Sequence, residues 1–298
     1  WMKADQERVD GLNLDFVVNN AGTAGALWAA LDVSIANNEP IVMFNWTPNF
    51  TEVLYEGKFV EFPEFHPDCN TDPSWGVNPD ALYDCGNPAG AYLKIGVWEG
   101  FEAKWPNAFG VVQNINFQNS DLAEMALYVD LDGMEPEDAA DAWLADHCDR
   151  WTGWSGADTS ACPAAPEVAA DSSDPIRMPI HNWSSQIAGV YIMGAILESA
   201  GNNVEYIPSD STLVYTSMCE GDMDLVHEVW ESSFGPAFEE MVAKGCVVDA
   251  VTHDTKTREE WWYPIHVEDH CPGLPDWEAL NACAALFATA DSGGKGSY

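Results

Sequence analysis

The sequence predicts an α/β fold, and three observations carry that prediction. Short apolar runs of strand length alternate with longer helical stretches along most of the chain. The stretch from Phe16 to Phe44 reads strand, helix, strand, a unit of about 30 residues that is typical of a parallel sheet. After an Ala/Ser/Pro/Asp-rich stretch at 156–174 the same alternation restarts.

The elements follow in order. Trp1 to Asp15 has helical character. Phe16 to Asn20 reads as a strand, Ala21 to Asn37 as an Ala/Leu-rich helix, and Pro40 to Phe44 as the next strand. Phe59 to Phe62 is a further short strand. His66 to Pro88 is rich in Asp, Asn, Pro and Gly and reads as a loop. Leu93 to Trp98 is a strand. Ser120 caps a helix to Val129, and Pro136 to Cys148 is a second helix with acidic residues in its first turn. Gly156 to Asp174 reads as a linker. Beyond it, Arg177 to Asn182 is a strand, and Ser184 or Ser185 caps a helix that Gly201 stops. Val204 to Ile207 is a strand, Thr212 to Cys219 a helix, and Asp224 to Val229 a strand. Ala237 to Lys244 is helical, and Cys246 to Ala250 and Trp261 to Ile265 are strands. Pro275 opens a helix that reaches Ala290, and the tail 291–298 reads as a loop.

Composition narrows the function. The chain has 298 residues and is 47% hydrophobic, enough for one large or two medium domains. Its 49 acidic and 11 basic residues give a net charge of -38, which argues against nucleic acid and anionic lipid as partners. Such a surface keeps a protein soluble in a salty medium; steering of cationic ligands is a secondary effect that salt screens. No apolar run approaches the ~20 residues of a membrane span. No signal peptide is visible, so the chain reads as mature or trimmed. Eight cysteines fall in local pairs without any Cys-x-x-Cys. Pairing in sequence order gives 69–85, 148–162, 219–246 and 271–283 and implies an oxidising compartment; free buried thiols are the alternative.

Three tryptophans share one setting. Trp46 ends the run Pro40-Ile41-Val42-Met43-Phe44-Asn45-Trp46, with Pro48 two residues later. Trp183 follows Met178-Pro179-Ile180-His181-Asn182, and Trp230 follows Asp224-Leu225-Val226-His227-Glu228-Val229. Each stands at a strand end before a turn or helix, the place where open α/β sheets bind ligands. With 14 tryptophans in the chain, most belong to the core. Three in a repeated strand-end setting point instead to an aromatic cage for a cation-like ligand, each indole face attracting it by about 0.5–2 kcal/mol. A quaternary ammonium nitrogen donates no hydrogen bond, so π faces host it better than a carboxylate alone. Glu259, with Glu260 as its rival, is the acidic group expected beside the cage.

Other motifs are weak. His266 and His270 do not match a zinc-protease spacing. Asp130-Leu131-Asp132-Gly133 misplaces the glycine of a calcium loop, and Gly293-Gly294-Lys295-Gly296 lacks the strand-to-helix context of a phosphate loop. No Gly-x-Ser-x-Gly is present. No cofactor and no metal is expected.

The Asn45-Trp46-Thr47-Pro48 stretch, Trp183 and Trp230 resemble the glycine betaine/choline-type substrate-binding proteins of ABC importers, and most of the chain fits. Ala139-Ala140-Asp141-Ala142-Trp143-Leu144 with Trp151 and Trp154 resembles that family's C-terminal segment, and Asp276-Trp277-Glu278-Ala279-Leu280 resembles the stretch before its ligand loop. The Trp-rich acidic variant with Cys69 to Cys85 most resembles the trimethylamine N-oxide binders. In the common order the half 174–298 comes first and Trp1 to Trp154 second; here the halves are exchanged. The resemblance implies a type II periplasmic-binding-protein fold in circularly permuted order. One lobe is expected at 45–246 and the other at 1–44 plus 247–298, joined by a hinge and closing over a ligand between them. By position Trp1 would match the family's additional loop tryptophan and complete a box of Trp1, Trp46, Trp183 and Trp230, with part of that loop absent between Tyr298 and Trp1.

The resemblance implies a non-enzymatic, extracytoplasmic protein, monomeric and without nucleic-acid partners, that delivers a methylated ammonium osmolyte to ABC permease subunits. Trimethylamine N-oxide is the first expected ligand, then glycine betaine, choline and carnitine, because a cage with its own carboxylate disfavours a second one. The rivals are a carbohydrate-binding protein using tryptophan platforms and an enzyme acting on methylated amines.

Overall fold

A computed structural model describes residues 3–156 and 170–298. The strands are β1 (Phe16–Val17), β2 (Met43–Thr47), β3 (Gly57–Phe59), β4 (Ala91–Trp98), β5 (Ile176–Ile180), β6 (Val204–Pro208), β7 (Leu225–Trp230), β8 (Val247–Pro264) and β9 (Gly296–Ser297). The helices are α1 (Lys3–Gly11), α2 (Ala24–Asn37), α3 (Thr51–Leu54), α4 (Phe101–Lys104), α5 (Pro106–Val112), α6 (Asn119–Asp130), α7 (Pro136–Asp146), α8 (Cys148–Ser155), α9 (Ser184–Ser199), α10 (Val214–Glu220), α11 (Glu231–Lys244) and α12 (Trp277–Ala282). The mixed α/β class expected from the alternation is present.

The chain divides into two compact units, 1–47 with 51–90 and 258–298, and 48–50 with 91–257. The sequence boundaries at 45 and 246 differ from these mainly over 51–90. That segment packs with the termini because buried bonds hold it there. Arg8 ion-pairs with Glu260 and donates to the Cys85 carbonyl (3.1 Å) and to Asn87 Oδ1 (2.8 Å). Asn87 donates its backbone N–H to Glu260 (2.8 Å) and its amide to the Glu259 carbonyl (2.6 Å). The Cys69–Cys85 disulfide closes the loop.

In the first unit β2 and β3 both pair antiparallel with the second part of β8, and β1 pairs parallel with β9. Two expectations are corrected here. The strands around α2 are not hydrogen-bonded neighbours in a parallel βαβ unit, and the tail read as a loop supplies β9. Phe16 draws the tail in by meeting Trp261 edge to face in the core (5.4 Å between centroids), and Trp261 stacks on Tyr298 (3.7 Å). Leu12, Val60, Val267 and Leu280 complete this core. The helix expected to reach Ala290 ends at Ala282, where Cys283 forms its disulfide with Cys271.

The second unit keeps the expected crossover. β5 and β6 are parallel, in register from Ile176↔Val204 to Ile180↔Pro208, with the buried helix α9 between them in sequence. β4 pairs antiparallel with β7 and with the first part of β8. The stretch 251–260, read as neither strand nor helix, belongs to the continuous strand β8. Its polar residues alternate: His253, Thr255 and Thr257 are buried, whereas Asp254 and Lys256 are exposed. Val214, Met218, Val226, Val229 and Phe238 form a core under β7. The disulfide Cys219–Cys246 matches expectation; Cys148 is disulfide-bonded, and its expected partner Cys162 lies outside the described residues, as does most of the linker expected at 156–174.

The Arg8–Glu260 pair is buried on both sides, and losing one partner strands the other charge. Glu260→Ala is therefore expected to lower the unfolding free energy by about 3–5 kcal/mol in a denaturant titration. A loss below about 1 kcal/mol, the scale of an exposed pair, would contradict the burial argument.

Candidate functional site

Trp183 and Trp230 occupy equivalent places in the second unit. Trp183 is the residue before α9, and Trp230 closes β7 immediately before α11. Both are buried, at 7% and 3% exposure. The serines expected to cap α9 have other partners: its N-cap is Trp183, without a side-chain cap bond. Ser184 donates to Asp130 (2.5 Å) and Ser185 to Glu228 (3.3 Å). Gln186, fully buried, fixes this turn by accepting from the His181 N–H (2.8 Å) and donating to the Pro179 carbonyl (2.7 Å). At the opposite end of the strands Arg177 grips Asp224 through Nε and Nη2 (2.8 Å each) and ties β5 to the start of β7.

These constraints bring both indoles to one carboxylate. Trp183 Nε1–H donates to Glu228 Oε2 at 2.7 Å, and Trp230 Nε1–H donates to the same oxygen at 2.9 Å. The Trp183 ring is stacked with His181 (5.1 Å) and with Phe234 (5.7 Å, 17° between planes). Glu228 was not among the expected site residues. Its signal was present: Glu228 and Trp230 are two apart in a strand, so they share a face.

Trp46 lies in the first unit on β2, directly opposite Glu259 of β8. Residues opposed in this way have Cβ atoms about 4.5–5.5 Å apart on one face of the sheet. Trp46 is 7% exposed and Glu259 4%. Trp28 of α2 packs on Trp46 at 5.1 Å between centroids, and Phe44 at 5.9 Å. Glu260, the rival acid, instead serves the Arg8 pair and accepts from the Trp261 N–H (3.0 Å). A pocket in this unit is lined in part by Asn19, Asn20, Thr23, Leu27, Phe44 and Tyr298, none of them among the expected ligand-binding residues. Trp1 lies outside the described residues.

The electrostatics of the second unit centre on Glu228. Burial pushes its carboxyl up to about 7, against the pull of the hydrogen bonds from Trp230, Trp183 and Ser185. Burial pushes His227 down to about 3 and His253 to about 4, and holds His181 below its ordinary value. His266, by contrast, contacts the Glu39 carbonyl (3.0 Å).

The family described as the substrate-binding domain of ABC-type glycine betaine transport systems, OpuAC, matches residues 2–146 and 174–298. The chain is 53% identical to the trimethylamine N-oxide-binding protein of Pelagibacter ubique over 43% of this chain and 42% of that protein. It is 24% identical to the glycine betaine/carnitine transport binding protein GbuC of Listeria monocytogenes over 67% of this chain and 57% of that protein. The matches thus span about half the length of these curated relatives.

The shifted groups give stability a definite pH dependence. Because Glu228's folded pKa lies above its unfolded value of 4.5, its contribution is fully present below that value and is lost as pH rises through about 7. His227 and His253 act oppositely: their folded pKa values are depressed, so their contributions are present above about 6.5 and are lost as pH falls through about 4 and 3. Subtracting the unfolding free energy of Glu228→Gln from that of the wild type isolates the Glu228 contribution. That difference is expected to fall by about 2–3 kcal/mol between about pH 5 and about pH 8. A difference independent of pH would contradict the assignment.

Proposed function

The chain belongs to the OpuAC family of ABC-type glycine betaine substrate-binding domains, and within it we propose an extracytoplasmic solute-binding protein that captures a small methylated ammonium osmolyte for ABC permease subunits. The observation that carries this reading is the shared anchoring of the Trp183 and Trp230 indole N–H groups on Glu228. An indole so anchored has its only hydrogen-bond donor occupied, so it can meet a ligand only through its ring. The name of the Pelagibacter relative supports trimethylamine N-oxide as the first ligand, and that of the Listeria relative keeps glycine betaine and carnitine in the set, with choline between them.

Trp183 and Trp230 are proposed as the indoles that host the methylated nitrogen. Trp46 and Trp1 retain the ligand-binding role assigned from the sequence, and Glu259, opposite Trp46, is the proposed polar contact. The finer architecture belongs to the same proposal: a type II fold of two hinged lobes whose halves stand in exchanged order. Two compact units and a family match in two segments support it. The protein is read as a non-enzymatic monomer. Disulfides fit an oxidising compartment, and among the described residues no helix is long and apolar enough to cross a membrane.

Calorimetric titration with trimethylamine N-oxide, glycine betaine, choline and carnitine tests the reading. One of the four is expected to bind tightly, and Trp183→Ala to weaken it at least about tenfold, about 1.4 kcal/mol. Glu259→Ala is expected to weaken the ligands without a carboxylate more than glycine betaine. No heat with any of the four would contradict the proposal and bring the carbohydrate reading forward.

A further inference from the structure

Three donors converge on a single oxygen of a buried acid. Glu228 Oε2 accepts from Trp183 Nε1–H, Trp230 Nε1–H and Ser185 Oγ–H, and the residue is 2% exposed. Among the described residues no lysine or arginine forms an ion pair with it; His227 places its Nε2 3.8 Å from Oε1. The other titratable groups on the elements packed around it do not balance it either. His181, His227 and His253 are held neutral by burial. Asp130 takes the Ser184 hydroxyl, and Glu231 the Tyr92 N–H. Lys94, whose β4 position pairs with Val229, is bound to Asp249 at 2.7 Å. A carboxylate in such a setting is costly to ionise unless a positive charge comes near it.

We propose that Glu228 is the specificity-determining counter-charge of the tryptophan pair, so that ligands presenting a fixed positive charge to the two indoles bind in preference to neutral ligands of the same shape. This rests on the methylated-amine reading above. The carboxylate works through the rings it holds. Charge-assisted bonds to both N–H edges orient the indoles, and the charge behind them adds to the attraction that their faces exert on a cation. A cation bound there favours the ionised acid. Its binding at low pH therefore releases a proton from Glu228, and its affinity rises as the acid ionises beforehand.

The test compares choline with 3,3-dimethylbutan-1-ol, which carries carbon in place of the ammonium nitrogen, in the wild type and in Glu228→Gln. Glutamine keeps an oxygen for the indole donors and removes the charge. In the wild type, choline affinity is expected to rise about tenfold between about pH 6 and about pH 8 while the alcohol stays constant. In Glu228→Gln, choline is expected to weaken about tenfold at the higher pH and to lose its pH dependence, with the alcohol changed less than about twofold. Equal weakening of both ligands, or no weakening of choline, would overturn the counter-charge role while leaving the binding function standing. A wild type that binds none of the methylated amines would overturn both. Should Glu228→Gln not fold, the wild-type comparison decides alone: parallel pH profiles for the two ligands would reject the proposal.

Discussion

Two indole N–H groups from different strand ends meet on one oxygen of Glu228, and the arrangement of the second unit follows from making that meeting possible. Trp183 and Trp230 are far apart in sequence and leave their strands into different helices. They converge because Arg177 and Asp224 lock the two strands at one end while Gln186 fixes the turn at the other. Removing a carboxylate from water is costly, and three hydrogen bonds offset only part of that cost, which is why the acid remains hard to ionise. A polar cluster of this kind, buried and backed by neutral histidines, is poorly explained as a stabilising device. The proposed function gives it a role, the orientation of the two indoles.

The first unit shows the same chemistry used for structure. Adjacent glutamates on β8 meet different surroundings. Glu260 is committed to Arg8 and to the backbone of Asn87 and Trp261, holding a disulfide-closed loop and the N-terminal helix onto the sheet. Glu259 stands opposite Trp46. Strand alternation separates the two roles: neighbours in a strand face opposite sides, so one acid serves the scaffold and the other stands with the tryptophan.

Much of this was legible in the sequence, and the limits have physical causes. The strand-end positions of Trp183 and Trp230 follow from apolar runs stopped by helix starts, a local signal. The disulfides in sequence order follow from the pairing of nearby cysteines. Glu228 was only partly legible: its tie to Trp230 is local, whereas the bond from Trp183 comes from 45 residues away. The length of β8 was hidden because its buried residues His253, Thr255 and Thr257 are polar, so hydrophobicity did not show the alternation. The short strand β9 pairs within a Gly-rich tail through a long-range contact with β1, which no local pattern announces. That Glu260 pairs with Arg8 was hidden because the two lie at opposite ends of the chain.

The most direct test of the central claim observes the indoles themselves. Nitrogen-15 spectra of the protein, with the Trp183 and Trp230 indole signals assigned from phenylalanine variants, would be followed while trimethylamine N-oxide is added. Both indole N–H resonances are expected to shift together and saturate at one concentration, with those of the fully buried Trp105 and Trp143 unmoved. Movement of neither Trp183 nor Trp230 while binding is seen elsewhere in the spectrum would contradict it.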